Sequence, residues 1–454
     1  RFPAELRDRS GVDLVYGEAF YVPSLGGKSR GNSATEVRSE SGLMNFSGDF
    51  VVKISGILLL VFLFSQGAGG QTTKQTPSAP AAETPEDRAS STVSRPGESP
   101  LEIHGFVSQG FLQSTKNNFI VNSTDGTTEF AEGGLTFNKQ LDSNLRVGMQ
   151  VFARKFGRIG NYDAKLDWLL IDYRKADWLS FRAGRIKLPF GLFNDTSDIE
   201  SARIPILLPT SVYPVGNRDY LLAQTGFEIY GFINLDWAGE LEYRIYRGTI
   251  DIDSTVTPGQ TFQTRFIDIP YIHGGRLIWE TPVKGLRFGV SGQQLLLEAD
   301  LYHSTSASIV SVRLPVAMGV LSAEFANRDF QVVTEYSRWF VDLESSNTTL
   351  TPNSSVTSER LYGMATLRTG DWIYPGFYYS LAYPNWHARD NQQDFLKDSA
   401  AFVRLDVNPN LILKFEGHYM DGTAGLNPTF NDGRTTSTME RNWGLFLAKA
   451  TVLF

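Results

Sequence analysis

The chain contains no cysteine among its 454 residues. This absence excludes disulfide bonds, thiolate metal sites, cysteine nucleophiles and a lipid-modified N-terminal cysteine. The sequence also lacks a P-loop and a G-x-S-x-G motif. Its five histidines are dispersed and match no metal-ligand spacing; they are His104, His273, His303, His387 and His418. We therefore expect no catalytic residues, no metal and no cofactor.

Basic tracts and long hydrophobic runs are scarce. The formal net charge of −7 is spread along the chain, and no cluster of Lys and Arg suits nucleic acid, so we expect no nucleic-acid partner. One apolar run of about eleven residues, 54–64, is shorter than the roughly 20 residues that a spanning helix needs. Because Lys53 precedes it and small residues follow up to Gly70, the pattern predicts a secretory signal peptide.

These features divide the chain. The first methionine is Met44, so we interpret residues 1–43 as an over-extended N-terminus and residues 44–70 as the signal peptide, cleaved between about Gly67 and Gln71. Residues 71–100 are rich in Pro, Ser, Thr, Ala and charge, which predicts a disordered periplasmic leader. The folded domain is expected to span residues 101–454.

Aromatic residues make up 13% of the chain, yet the mean hydropathy is −0.19, because apolar and polar residues alternate. From residue 101 onward the period is two, with Gly, Asn and Asp at short intervals. The pattern predicts an all-β fold, a closed antiparallel transmembrane β-barrel of about sixteen strands. The expected strands are 102–113, 128–140, 144–156, 163–175, 178–187, 222–236, 239–248, 273–282, 286–298, 316–326, 330–342, 359–369, 373–383, 395–407, 411–421 and 442–454.

The expected connections alternate between short and long, as periplasmic turns and extracellular loops do in an outer-membrane barrel. This arrangement places both termini in the periplasm. The expected long connections are 114–127, 157–162, 188–221, 249–272, 299–315, 343–358, 384–394 and 422–441.

Side-chain alternation indicates which face of each strand meets lipid. Between 411 and 419, Leu413 and Phe415 fall on one face, whereas Lys414, Glu416 and His418 fall on the other. Charges cost little on the wall of a water-filled barrel, and a dry core would penalise them. Trp178, Trp237, Trp279 and Trp372 fall near expected periplasmic turns, and Trp339, Trp386 and Trp443 near extracellular strand ends, as interface girdles predict.

The third long connection, 188–221, is too long for an ordinary loop and too apolar for disorder. Irregular backbone at membrane depth requires protein or a water-filled cavity around it, so we expect this loop to fold into the lumen and narrow the pore. Opposed charges there would create a transverse field; an equal alternative is that they pin the loop to the wall by ion pairs. The candidate constriction residues are Arg182, Arg185, Lys187, Asp195, Asp198, Glu200, Arg203, Arg218 and Asp219.

The run from Arg182 to Arg185 (RAGR) followed by Lys187 to Gly191 (KLPFG) resembles a motif of Gram-negative porins related to the phosphate-selective type. The terminal Phe454, with hydrophobic residues at every second position before it, is similar to the barrel-assembly signal. The resemblance covers roughly 101–454. It implies a sixteen-stranded, usually trimeric channel with an inward-folded third loop. It does not imply anion selectivity, because this loop is not predominantly basic.

The sequence thus favours an outer-membrane porin for passive diffusion of small hydrophilic solutes or ions. The expected partners are outer-membrane lipid, two further copies in a homotrimer, the solutes and the barrel-assembly machinery. A substrate-specific channel, for example for anions or phosphate, is the alternative. A barrel-embedded hydrolase, a structural adhesin or a pair of soluble β-sandwiches is less favoured. For a hydrolase, His418 beside Glu416 and Asp421 is the cluster to inspect.

Overall fold

The computed structural model describes residues 100–157, 160–217, 221–252 and 262–454. The expected over-extended N-terminus, the signal peptide and all but the last residue of the leader lie outside the described residues.

Sixteen antiparallel strands form one closed barrel, in which each strand pairs with its sequence neighbours and β1 pairs with β16. The predicted fold class is therefore confirmed. The strands are β1 (Glu102–Ser114), β2 (Phe130–Gln140), β3 (Leu145–Phe156), β4 (Lys165–Ala176), β5 (Leu179–Lys187), β6 (Ala223–Asn234), β7 (Glu240–Ile250), β8 (Phe262–Glu280), β9 (Leu286–His303), β10 (Ser308–Ala326), β11 (Phe330–Ser345), β12 (Ser354–Leu367), β13 (Ile373–Tyr383), β14 (Leu396–Asn408), β15 (Leu411–Gly422) and β16 (Asn442–Leu453).

The barrel closes between its first and last strands. Val107 lies opposite Val452 in the β1–β16 ladder. Beyond the end of β16, the Phe454 amide donates to the Gly105 carbonyl at 3.0 Å, and the Gly105 amide donates to the Phe454 carbonyl at 2.8 Å. The terminal residue thus completes the seam, and none of the strands in the described part of the chain is left with an unpaired edge.

The two faces of the barrel wall differ in polarity. In β15, Lys414 and Glu416 are buried on the inner side, whereas Phe415 and Tyr419 are exposed on the outer side. The outer face of the other strands is likewise apolar over a broad band, for example at Phe227, Ile245 and Phe377. Within the described ranges, no helix is both long enough and apolar enough to cross a membrane.

Several strands are longer than the sequence pattern predicts, and β8, β9 and β10 extend to residues 262, 303 and 308 at their loop ends. The expected long connection 299–315 is therefore wrong, and residues 304–307 alone join β9 to β10. The connections 249–272 and 343–358 also shorten, to 251–261 and 346–353. The physical reason is that, near the loops, apolar side chains face the barrel interior and charged side chains face outward. At the loop end of β10, Val310 and Val312 are buried inside while Arg313 points outward into solvent.

The inner wall is also less uniformly polar than expected. Along β9 and β10 the inward side chains Leu295, Val316 and Met318 belong to a buried apolar cluster. Leu188 and Phe190, which follow β5, pack into the same cluster. Apolar burial therefore fixes part of the barrel interior against the segment after β5.

Tryptophan positions confirm part of the girdle. Trp178, Trp237 and Trp372, near short turns, are strongly exposed. Trp339 and Trp443 are instead buried, so placing them in an extracellular girdle was wrong. The extension of β11 to Ser345 places Trp339 in mid-strand, and its buried side chain lies on the inner face.

Candidate functional site in the barrel interior

The segment between β5 and β6, residues 188–222, is called the third loop. Its first part is fixed to the wall through Glu335 of β11. One carboxylate oxygen of Glu335 accepts the Leu192 amide at 2.9 Å, and the other accepts the hydroxyls of Tyr213 at 2.5 Å and Tyr362 at 2.7 Å. Glu335 is fully buried, so these donors replace the water that its carboxylate would otherwise need. The Glu335 carboxylate is therefore the first anchor of the loop.

Glu200, which lies between Leu192 and Tyr213 in the sequence of the loop, forms the second anchor. Its carboxylate lies 2.7 Å from the Nζ of Lys414 on β15, 2.7 Å from the Nζ of Lys449 on β16 and 2.6 Å from an Nη of Arg203. Burial would raise the pKa of Glu200, but Arg203, Lys414 and Lys449 outweigh burial and hold the pKa well below its usual value. The loop is thus tied by charge to the last two strands.

Backbone contacts reinforce this second anchor. Glu416 of β15 accepts the amides of Ile206 and Leu207 at 2.5 and 3.2 Å. Arg404 of β14 donates to the carbonyl of Ser201 at 2.5 Å. Since the first anchor lies on β11 and the second on β14 to β16, the third loop lies inside the barrel and contacts separate parts of its wall.

Asp195 forms a third anchor, on the β7–β8 side. Its carboxylate lies 2.8 Å from Nη1 of Arg244 and 3.4 Å from Nη1 of Arg276. Burial opposes ionisation of Asp195, but Arg276, Arg244 and Lys187 lower its pKa to about 2. Asp195 is therefore ionised over the physiological pH range.

A chain of alternating charges continues from Asp195 along the inner wall. Arg244 pairs with Glu228 at 2.8 Å, Glu228 with Arg182 at 3.1 Å, and Arg182 with Asp172 at 3.0 Å. The chain runs from β7 to β4. Each acid in it has an arginine partner, which keeps the charges fixed in position.

The other predicted constriction residues are placed as follows. Asp198 is buried and pairs with Lys187 at 3.0 Å while accepting from Gln150 at 2.7 Å. Arg185 lies in register with Leu169, an exposed outer-face residue, and donates to the Asp167 carbonyl at 2.9 Å. Arg218 and Asp219 lie outside the described residues. The structure thus brings Arg182, Lys187, Asp195 and Asp198 to the β3–β8 side and Glu200 with Arg203 to the β14–β16 side.

The sequence did not identify the wall partners of the loop as part of the site. Lys414 and Glu416 were assigned to the inner face, but nothing local in the sequence connects them with residues 200–207. Glu335 could have been recognised from the sequence. It is an acidic residue at an inward position of β11, and the neighbouring inward residue, Val333, is apolar. Such a buried carboxylate requires donors from elsewhere in the chain.

The histidine cluster differs from the expected one. His418 Nδ1 lies 3.0 Å from Asp398, and His418 Nε2 lies 3.0 Å from Glu416. Asp421 is directed away and pairs with Arg441 at 2.6 Å. Across the described residues, no group of three or more His, Asp and Glu side chains could hold a metal ion.

Comparison with known proteins gives a match at the level of fold. No protein-family model matches the chain, and no curated protein matches it. The solved structure of OmpT, an outer membrane protein of Vibrio cholerae, is 12% identical with a TM-score of 0.51, and the match covers 80% of this chain and 100% of that one. A trimer form of OmpT is 10% identical with a TM-score of 0.51, covering 78% and 99%.

The anion-selective porin from Comamonas acidovorans is 11% identical with a TM-score of 0.50, and the match covers 79% of this chain and 100% of that one. At these identities the likeness establishes the architecture and not the activity. The chain therefore has the closed sixteen-strand barrel fold of outer-membrane proteins, porins among them.

Proposed function

We propose that the chain is an outer-membrane porin, a passive water-filled channel for small hydrophilic solutes or ions, and not an enzyme. The observation that carries this proposal is the charge-lined inner wall of a closed barrel whose outer wall is apolar. A purely structural barrel has no need for the chain of charges from Asp172 to Asp195, which an apolar filling would replace at lower desolvation cost.

The third loop supports the same proposal. Three separate anchors, at Glu335, Asp195 and Glu200, hold it inside the barrel. A loop fixed in this way limits the cross-section open to solutes and holds its charges at constant positions. We propose that the loop and the wall residues around it form the constriction, with acids and bases on both sides of the pathway.

Selectivity is proposed to be mild, because most acids and bases at the loop are paired. A preference for anions is the second candidate, and Arg360 favours it. This arginine stacks over Trp339 with its Cζ 3.6 Å from the ring centroid and donates to the Ser211 carbonyl at 3.0 Å. Among the described residues, no carboxylate pairs with Arg360. It is the group that would give the pathway a local positive charge.

The outer face supports the proposed location. The exposed apolar band suits outer-membrane lipid. We propose export through the signal peptide at 44–70, insertion by the barrel-assembly machinery through the signal at Phe454, and assembly as a homotrimer. The trimer form of OmpT, which shares the fold, supports the trimer proposal.

Planar-bilayer recording of the purified barrel tests the proposal. A porin gives stepwise, ohmic conductance that increases with salt concentration, and its potassium-to-chloride permeability ratio reports selectivity. Absence of conductance steps from correctly folded protein would rule out the channel and leave a sealed barrel, whether enzyme or adhesin.

A further inference from the structure

One arginine on the inner wall lacks a carboxylate partner. Arg360 lies on β12 between Ser358 and Tyr362, whose side chains are buried on the inner face. Leu361 is exposed on the outer face, so alternation along the strand places Arg360 inside the barrel. Throughout the described residues, no Asp or Glu oxygen lies within 4.0 Å of its guanidinium nitrogens. The inward arginines of β5, β7, β8 and β9, by contrast, all have carboxylate partners.

Three contacts fix the guanidinium of Arg360 in place. Its Nε donates to the hydroxyl of Ser358 at 3.1 Å, and its Nη1 donates to the carbonyl of Ser211 at 3.0 Å. The group lies over the ring of Trp339, with Cζ 3.6 Å from the ring centroid. Trp339 is itself held, since its Nε1 donates to the hydroxyl of Ser337 at 3.0 Å. A planar cation held in this way loses little conformational entropy when it binds a ligand.

The remaining nitrogen of the guanidinium, Nη2, is free to bind a ligand. It carries two N–H bonds, and neither of them has an acceptor among the described residues. Arg360 is half-buried, and Nη2 is not one of the polar atoms that protein encloses without a partner. The Nη2 donors therefore face water inside the barrel. Free N–H donors on a fixed cation provide one half of a binding site for an oxyanion.

The inward acids of β11 to β14 have donors of their own. Glu335 accepts two tyrosine hydroxyls, one serine hydroxyl and one backbone amide. Asp398 lies 3.0 Å from the Nδ1 of His418, and Asp406 lies 2.6 Å from the Nε of Arg404. These contacts direct the three carboxylates away from Arg360. Its charge is therefore left for a solute.

Arg360 lies on the long-loop side of the first anchor. In the β11–β12 ladder, Tyr362 lies opposite Glu335, whereas Arg360 lies opposite Ser337. Arg360 is thus one inward position closer to the long loops than the Glu335 anchor. The long loops of an outer-membrane barrel are extracellular. A solute that enters from outside the cell therefore reaches the level of Arg360 before that of the first anchor.

We propose that Arg360 binds the carboxylate of a small organic acid on the extracellular side of the constriction. A carboxylate is planar and carries one negative charge, so a single guanidinium with free N–H donors matches both its shape and its charge. A phosphate dianion would need a second cation for neutrality, and Arg360 has no cationic neighbour among its contacts. The proposal deepens the second candidate function, a preference for anions, and rests on the proposed channel.

A paired arginine of the same inner wall provides the contrast. Arg287 on β9 keeps 21% of its side chain exposed, but it lies 2.6 Å from Glu324 and 3.6 Å from Glu280. A guanidinium between two carboxylates has no charge left for a solute anion. Arg287 is therefore the matched control, an inward arginine whose charge is already neutralised.

The test compares the wild type with Arg360→Gln, Arg360→Lys and the control Arg287→Gln. Each protein is purified in neutral detergent and titrated with benzoate, or with benzamide as a neutral ligand of the same shape, and binding is measured by saturation-transfer NMR. We expect the wild type and Arg287→Gln to bind benzoate alike, and Arg360→Gln to bind it about tenfold more weakly, because charge-assisted hydrogen bonds are lost. Arg360→Lys keeps the charge without the planar fork and should bind with intermediate affinity. Benzamide should not distinguish the four proteins.

Equal benzoate binding by the wild type and Arg360→Gln, or an equal loss in Arg287→Gln, would overturn the proposal. Inorganic phosphate that displaces benzoate at a lower concentration than acetate does would overturn the carboxylate assignment. Should Arg360→Gln fail to fold, judged by heat-modifiable gel mobility, weaker binding by folded Arg360→Lys still tests the site. Wild-type protein that binds benzoate through Arg360 but gives no conductance steps would refute the channel alone. A conducting protein whose benzoate binding does not depend on Arg360 would refute the carboxylate site alone.

Discussion

A carboxylate oxygen of Glu200, in the third loop, lies 2.7 Å from the Nζ of Lys449, on the last strand, across 249 residues of sequence. Both residues are buried, and Lys414 and Arg203 also contact the Glu200 carboxylate. Because β16 closes the barrel against β1, this anchor forms only when the last strand is in place. The position of the loop in the lumen therefore depends on completion of the barrel.

Replacement of Glu200 by glutamine should loosen the loop. The change leaves the buried Lys414 and Lys449 and the half-buried Arg203 around one neutral amide. Removal of one partner from a buried ion pair costs about 3 kcal/mol or more. We expect a lower free energy of unfolding in urea and noisier single-channel current. Glu344→Gln is the matched control, because this residue pairs with Arg313 at 3.6 Å on the exposed outer rim. If the two variants unfold at the same urea concentration, Glu200 does not anchor the loop.

The Asp195 anchor should persist in acid. Its pKa is about 2 in the folded protein, below the ordinary 3.8, so its ion pairs stabilise the fold fully above the ordinary value and are lost as the pH falls through about 2. The shift corresponds to about 2 kcal/mol. The stability difference between wild type and Asp195→Asn should stay constant from pH 7 to about pH 5 and decline between about pH 4 and pH 2. A decline already complete at pH 5 would contradict the assignment.

Sequence alternation predicted the strands well where apolar residues face outward and polar residues face inward along the whole strand. In β15, Lys414 and Phe415 fall on the predicted sides, and the short turns fix the strand ends. The prediction failed at the loop ends of β8 to β10 because the polarity inverts there. Val312 faces inward there, and Arg313 faces solvent above the lipid band. A prediction that expects apolar residues on the outer face therefore assigns these residues to a loop and not to a strand.

The residue types of the third loop could be predicted to form a site, but the wall residues that contact the loop could not. The apolar, proline-rich third loop indicated a segment enclosed by protein, and its acids were recognised as candidate pathway residues. The partners could not be found because Lys414 and Lys449 meet Glu200 only through the closed three-dimensional barrel. Period-two alternation assigns a face to each residue but does not give its height relative to a loop from another part of the chain.

Gly191 should not tolerate a side chain. Its φ is +62°, and a Cβ there would lie 2.3 Å from the Tyr213 hydroxyl oxygen and 2.9 Å from Oε1 of Glu335. Gly191→Ala should therefore displace the loop from its first anchor, which lowers stability and changes conductance. Gly425→Ala controls for backbone strain alone, since Gly425 has φ +80° and a Cβ added there would meet no atom within 4 Å. Equal conductance in both variants and wild type would show that the Glu335 anchor does not set the pathway.

Neutralising the loop acids should change ion selectivity. The triple variant Asp195→Asn, Asp198→Asn and Glu200→Gln removes three negative charges beside cations such as Arg244 and Lys187. We expect a rise in chloride relative to potassium permeability of about twofold or more, measured as a reversal-potential shift in a salt gradient. Asp371→Asn is the control, because it lies on an exposed short turn. An unchanged ratio would remove the three acids from the solute pathway.

Phe454 should matter more for assembly than its exposure suggests. The residue is 61% exposed, and its ring covers Gly105, where a Cβ would lie 2.6 Å from two ring carbons. Phe454→Ala keeps the two backbone hydrogen bonds to Gly105 but removes the ring, whereas Gly105→Val pushes the ring away while leaving its chemistry intact. If the ring closes the seam, both variants should reduce the folded fraction, measured by heat-modifiable gel mobility after refolding into lipid.

The two variants also separate seam packing from recognition of the terminal residue. Phe446→Ala is the control, because Phe446 is an outward aromatic of the same strand that is 46% exposed to the lipid side. In cells, a recognition role for Phe454 predicts a large loss of barrel insertion in Phe454→Ala and a small one in Gly105→Val. A packing role predicts similar losses in both, since each removes the contact between the ring and the β1 backbone. Normal refolding and insertion of Phe454→Ala would exclude both roles, and the two backbone bonds to Gly105 would then suffice to close the barrel.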